Sequence, residues 1–129
     1  MSMKITFPGG FAVNAHYKGF EIPTDQPEDN GGQNSAPAPF DYFLVSLGSC
    51  AAFYALRFCQ QRDLPTEGLE FSMDTVDHPE THRTEKITMT IKVPEEFPEK
   101  YRRAIVRATN QCSVKRAILD PPEIVVETV

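Results

Sequence analysis

Ser35 to Arg62, SAPAPFDYFLVSLGSCAAFYALRFCQQR, is the longest apolar stretch of helical period in the chain, and it narrows the folds the chain can adopt. Phe40, Phe43, Leu44, Leu47, Ala51, Tyr54 and Phe58 recur at spacings of three and four. That pattern is one stripe of an α-helix at roughly 100° per residue, and the stripe is a core face. Pro37 and Pro39 suit an entry segment, where a missing N–H costs nothing, and Asp41 falls in the first turn, where a carboxylate favours the exposed amides. Gln60, Gln61, Arg62 and Asp63 end the run, with Pro65 as the stop. Ala52 and Phe53 are apolar off the stripe, so more than one face is available for burial. The segment reads as a central helix, and it carries Cys50 at the edge of its apolar stripe, three residues after Leu47 and four before Tyr54.

The elements around this helix follow from shorter periods. Met3 to Phe7, Phe11 to Tyr17 and Phe20 to Pro23 read as a hairpin and a short third strand, with a Pro8-Gly9-Gly10 turn between the first two. Thr24 to Ala38 has almost nothing apolar and reads as a loop of about 15 residues, a length usually associated with mobility or function. Beyond the helix, Leu69 to Asp77 and Ile87 to Val93 alternate with period two, joined by polar His78 to Glu85. Pro98 opens a helix to about Asn110 with Tyr101, Ala104, Ile105, Ala108 and Cys112 on one face. Cys112-Ser113 starts a short helix through Leu119, and Ile124 to Thr128 reads as a last strand. Strands segregated from helices indicate an α+β fold with antiparallel sheet, in a single domain spanning residues 1–129.

Charge and cysteine usage exclude several function classes. Thirteen basic against eighteen acidic residues give a net charge of −5, which argues against the phosphate backbone of nucleic acid as a partner. No apolar run is read as approaching the ~20 residues a bilayer requires, so no membrane partner is expected. Met1 to Gly10 lacks the apolar core of a signal peptide, which makes the cytoplasm the expected compartment. Three cysteines in that setting argue against a disulfide-built scaffold, and any bridge would be transient. His16, His78 and His82 with the scattered cysteines form no metal-ligand spacing, so neither metal nor bound cofactor is expected.

Cys50 and Cys112 both occupy the apolar sides of expected helices, so packing of those helices could bring the thiols together. Periodicity alone leaves two uses open: small buried hydrophobes, or a reactive pair. Cys59 lies on the opposite side of the helix from Cys50 and reads as packing. Reactivity needs the thiolate. Cys112, if it opens the short helix, gains from exposed amides there, whereas Cys50 in mid-helix has to rely on a cation, with Arg57 two turns on as the candidate within the helix.

Two separated motifs then resemble those of a known family. Asp25-Gln26-Pro27, Gly31-Gly32, Pro39, Asp41 and Leu47-Gly48-Ser49-Cys50 look like the D-x-P…GG…P-x-E-L-L-L-x-x-L-G-x-C signature of the OsmC/Ohr superfamily, the osmotically inducible and organic hydroperoxide resistance proteins. Gln111-Cys112-Ser113-Val114 is similar to its second motif, C-P-V, with serine in place of proline. The resemblance implies an intertwined homodimer around central cysteine helices, with active sites at the subunit interface. It implies reduction of organic hydroperoxides, with Cys50 as the peroxidatic and Cys112 as the resolving thiol, and regeneration by a dithiol such as a lipoyl group.

The chain departs from that pattern where the thiolate is supported. The family's peroxidases carry an arginine on the N-terminal strands and a glutamate at the start of the cysteine helix. Here no arginine precedes Arg57, leaving Lys4 and Lys18 as the N-terminal cations, and Phe40 stands ten residues before Cys50 with Asp41 nine before. Asp41 matches the acidic residue of the broader OsmC-like branch, and Asp41 and Arg57 are the supporting residues named for the site. Arg83, Arg102 and Arg116 are further cations that folding could bring to it. Two other classes stay open: a non-catalytic dimer of the same fold that binds a small apolar ligand or senses oxidants, and a purely structural module.

Overall fold

In the computed structural model of the chain, which describes residues 2–129, the opening alternation closes into three antiparallel strands: β1 (Lys4–Gly9), β2 (Ala12–Tyr17) and β3 (Phe20–Thr24), in the order β1-β2-β3. Tyr17 pairs with Phe20, so Lys18 and Gly19 form a two-residue turn. Both have positive φ, 52° and 83°, the conformation that matches the twist of a hairpin. These strands belong to a first unit ending at Val45; a second unit runs from Ser46 to Val129.

The segment after β3 is built around one carboxylate. Asp25 is 3% exposed and accepts hydrogen bonds from the Gln26 amide at 2.8 Å, the Ser35 amide at 3.1 Å, the Ser35 hydroxyl at 2.6 Å and the Gln33 amide at 3.3 Å. Such donors favour the ionised form, and with the Ser35 hydroxyl foremost they hold the Asp25 carboxyl down at about 2. A 3₁₀ turn at Glu28–Asn30 ends at Gly31 in the left-handed region, φ 88°. A side chain at Gly32 would strike the Gln26 carbonyl, which is why glycine stands there. What reads from sequence as a long polar connection is thus a hydrogen-bonded loop.

α1 (Pro39–Gln61) starts at one of the two prolines expected at its entry, with the Asp41 carboxylate in the first turn accepting the Ala38 amide at 2.8 Å. Its end is fixed by Asp63 at φ 52° and by the Leu64 amide, which reaches back to the Cys59 carbonyl at 2.9 Å. Leu47, Ala51, Ala55, Phe58 and Cys59 are buried, whereas Phe40, expected on the core stripe, is exposed. By length and composition α1 is apolar enough to cross a membrane, with a mean hydropathy of 1.4 over its best window. That overturns the reading that no run approaches this length; the central helix of a packed core meets the same criterion.

In the second unit, β4 (Glu70–Asp77) and β5 (Thr84–Lys92) pair antiparallel with Phe71 opposite Ile91 and Met73 opposite Met89. The expected continuous helix from Pro98 to Asn110 is three pieces: a 3₁₀ turn at Glu99–Tyr101, α2 (Arg102–Ala108) and a 3₁₀ turn at Thr109–Gln111. Cys112 then turns to φ −53°, ψ 117°, and α3 (Ser113–Leu119) follows. The buried residues fall into two clusters, with Phe71 packed against both. Ala55, Phe58, Cys59, Phe97 and Ile105 form one; Leu47, Ala51 and Cys112 form the other, flanked by Cys50, Tyr54, Phe71, Ile87, Met89 and Val114. The fold is α+β with antiparallel strands and three helices, as the element order suggests. The expected strand at Ile124 to Thr128 is not formed, because the segment has no hydrogen-bonded neighbour among the described residues.

Candidate active site

Cys50 and Cys112 lie together in the second cluster, 62 positions apart in sequence. α1 carries Cys50 half-buried beside Leu47 and Ala51, and the bend between the 3₁₀ turn and α3 delivers Cys112, which is fully buried. Cys112 caps α3 with sulfur: its Sγ accepts the Lys115 amide at 3.4 Å, satisfying one of the donors a helix start leaves unpaired.

The two thiols are driven in opposite directions. Burial acts to raise the Cys50 thiol, but hydrogen bonds outweigh it: first from the Cys112 thiol, then from the Val114 amide, the Ser113 hydroxyl and the Ser113 amide, and the net shift is below the ordinary cysteine value. The Ser113 hydroxyl stands 3.9 Å from Cys50 Sγ. Cys112 is pushed up by burial, and the neighbouring Cys50 sulfur adds to that against the opposing amides of Lys115 and Val114. Cys59 is also raised by burial, only partly offset by Arg62, which fits its expected packing role.

The site therefore corrects one step of the sequence reading. The amides at the start of α3 serve Cys50, not only the cysteine that opens the helix, and the groups that act on Cys50 are dipoles rather than a cation. Arg57 is exposed in a groove with Tyr54, Phe58, Gln61, Arg62, Ala108 and Gln111. Asp41 occupies the start of α1 through its bond to Ala38. Of the other cations, Arg102 is paired with Glu99 at 2.7 Å, Arg83 lies at the β4–β5 loop, and Lys18 sits over the Tyr17 ring. Ser113 and Val114 are the residues that sequence reasoning missed; the signal was a serine directly after the cysteine at a helix start. Among the described residues no three His, Cys, Asp or Glu side chains converge to hold a metal ion.

Comparison with known proteins places this geometry in a family. The family model for OsmC-like protein matches residues 32–127, which include both cysteines. The chain belongs to the OsmC-like family. Solved structures share the OsmC-like fold at low identity. One, named for osmotic stress induction and detoxification response, from Psychrobacter arcticus 273-4, is 23% identical with a TM-score of 0.75, covering 91% of this chain and 87% of its own. The organic hydroperoxide resistance protein OsmC of Legionella pneumophila is 13% identical with a TM-score of 0.60, over 91% and 87%. A protein of Vibrio cholerae O1 biovar eltor str. N16961 named for organic hydroperoxide resistance, with captopril in one of its active sites, is 16% identical with a TM-score of 0.52, over 92% and 84%. No curated protein matches the chain.

Proposed function

We propose that this OsmC-like protein is a cysteine-based reductase of organic hydroperoxides that works as a homodimer. The observation that carries the reading is the pairing of a half-buried thiol held below its ordinary pKa with a buried one held above it. The Cys50 thiolate attacks the distal oxygen of ROOH; the O–O bond breaks, and RO⁻ takes a proton and leaves as ROH. Cys50 is then a sulfenic acid. The Cys112 thiol displaces its hydroxyl as water and forms the Cys50–Cys112 disulfide, and a dithiol such as a lipoyl group reduces the bridge while becoming a cyclic disulfide itself. The setting we propose is the cytoplasm, where such dithiols are kept reduced.

The apolar surroundings of the pair, Tyr54, Phe71, Ile87 and Met89, support an organic rather than a hydrogen peroxide as substrate. Two features support the dimer. Phe53 and Leu56 are exposed on α1 and line an apolar groove with Leu69 and Phe71, and large exposed apolar patches mark interfaces. The tail beyond Pro122 leaves Ile124 82% and Val126 92% exposed, a strand pattern without a sheet in the single chain. A non-catalytic ligand-binding dimer is the less favoured reading, because packing or ligand binding alone does not call for a Cys50 thiol held below its ordinary value; an oxidant sensor would share that feature and is distinguished by the absence of turnover.

Titration of the fully reduced protein with cumene hydroperoxide tests this directly. Loss of two thiols per chain with one cumyl alcohol formed is the expected result. No loss from the wild type, or the same loss from Cys50→Ser, removes the proposal.

A further inference from the structure

Ser113 is the first residue of α3, and its position follows from the break in the backbone at Cys112. Its amide has no carbonyl of its own helix to bond, because the first amides of any helix lack one. Its side chain stands 3.9 Å from Cys50 Sγ, within hydrogen-bond range for sulfur. Between two neutral groups either atom can donate. Once Cys50 is ionised it has no proton to give, so the hydroxyl can only donate to it, and ionisation itself fixes the direction of the bond.

The charged groups on the elements around the pair are engaged elsewhere. Cys112 and Tyr54 are the other titratable side chains in the cluster. On α3, Lys115 turns its ammonium to Asn110 Oδ1 at 2.8 Å, and Arg116 is exposed; on α1, Arg57 lies in its own groove; β4 and β5 present Phe71, Ile87 and Met89. No cation of these elements is bonded to the sulfur.

We infer that Ser113 is a positioning residue of the site, its hydroxyl donating to the Cys50 sulfur where no cation does so. The inference rests on the proposed peroxidase reading for its purpose but not for its test. The Ser113 hydroxyl and amide are both among the groups that favour ionised Cys50. Proline, the residue at this place in the motif the sequence resembles, has neither an N–H nor a hydroxyl. The serine thus supplies a side-chain donor at a site where the chain also lacks an N-terminal arginine.

The test is the rate of Cys50 alkylation by iodoacetamide against pH in the reduced, full-length protein, with the labelled peptide identified by mass spectrometry. Ser113→Ala is expected to raise the midpoint for Cys50 by about half to one pH unit, as loss of a hydrogen bond to an ionised group implies. Ser113→Pro, if it folds, raises it further, and Ser113→Thr restores the wild-type midpoint. A Ser113→Ala midpoint equal to wild type overturns the inference, as does an equal shift in Ser113→Ala and Ser113→Thr, which would make the effect one of packing. No peroxide is present, so the outcomes separate. A shifted midpoint in a protein that does not consume cumene hydroperoxide sinks the proposed activity alone; an unshifted one in an active enzyme sinks the role of Ser113 alone.

Discussion

Cys50 and Cys112 are thiols of one cluster with unlike fates, the half-buried one pushed towards the thiolate and the fully buried one away from it. Under the proposed reaction, the asymmetry assigns an order of events without any appeal to sequence position. A thiolate that reaches the surface meets the oxidant first, while a protonated thiol beneath it stays available to close on the product.

That order is open to measurement. At neutral pH, iodoacetamide should label Cys50 well before Cys112, and lowering the pH through the depressed Cys50 value should suppress the labelling. With Cys112→Ser the sulfenic acid has no resolving thiol, so peroxide followed by dimedone should give a stable adduct on Cys50, whereas the wild type under the same treatment gives little. Preferential labelling of Cys112, or a dimedone adduct equally strong in the wild type, would reverse the assignment.

The loop ahead of α1 makes a second quantity testable, stability in acid. Asp25 titrates at about 2 when folded against about 3.8 otherwise, so the folded state binds fewer protons between those values. Its contribution is fully present above about 4 and is lost as the pH falls through 2. Asp25→Asn removes this linkage and leaves amides of Gln26, Gln33 and Ser35 competing for a weaker acceptor. The variant should melt below the wild type at neutral pH, and the gap should narrow as the pH falls from 4 to 2. A gap that stays constant through this range would show that the carboxylate's charge is irrelevant to the loop.

Local rules made much of this legible. The opening hairpin around Gly9-Gly10, the alternation of Phe71, Met73, Ile87 and Met89, and the start of α3 at Ser113 all depend on residues within a few positions of one another. The meeting of Cys50 with Cys112 was legible as an opportunity, because both lay on apolar helical faces. The donors to Cys50 were not, since Ser113 lies 63 residues away and the bend at Cys112 that aims it is a tertiary property. The same bend interrupted what periodicity read as one helix face running from Tyr101 to Cys112. Ile124 to Val126 has the composition of a strand, but a strand exists only with a neighbour, and no local pattern names one. Asp25 stands out in the sequence only through its motif, while its four donors come from residues up to ten positions on.

The separation of the two clusters yields a third expectation. Ile105 is 1% exposed and packs with Ala55, Phe58, Cys59 and Phe97, in the cluster that does not contain Cys112. Ile105→Ala should cost about 2 to 5 kcal/mol in denaturant unfolding, the range for deleting a buried aliphatic side chain. It should leave the pH midpoint of Cys50 alkylation where it is. A midpoint that moves with Ile105 would mean that the two clusters act as one.

The last expectation concerns the apolar surface. Phe53 is 53% exposed and Leu56 lies beside it in the groove with Leu69 and Phe71, so an aspartate at either position meets water in a single chain and costs that chain little. In a homodimer that buries this face, the same carboxylate has to leave water without a partner, which is far more expensive. Leu56→Asp should therefore sediment as a monomer at micromolar concentration where the wild type sediments as a dimer, with little change in far-UV circular dichroism. Removing Glu123 to Val129 should weaken the dimer as well, because it deletes a strand-like segment that has no partner within the chain. A wild type that sediments as a monomer, or a Leu56→Asp dimer as tight as the parent, would leave this face without the role assigned to it.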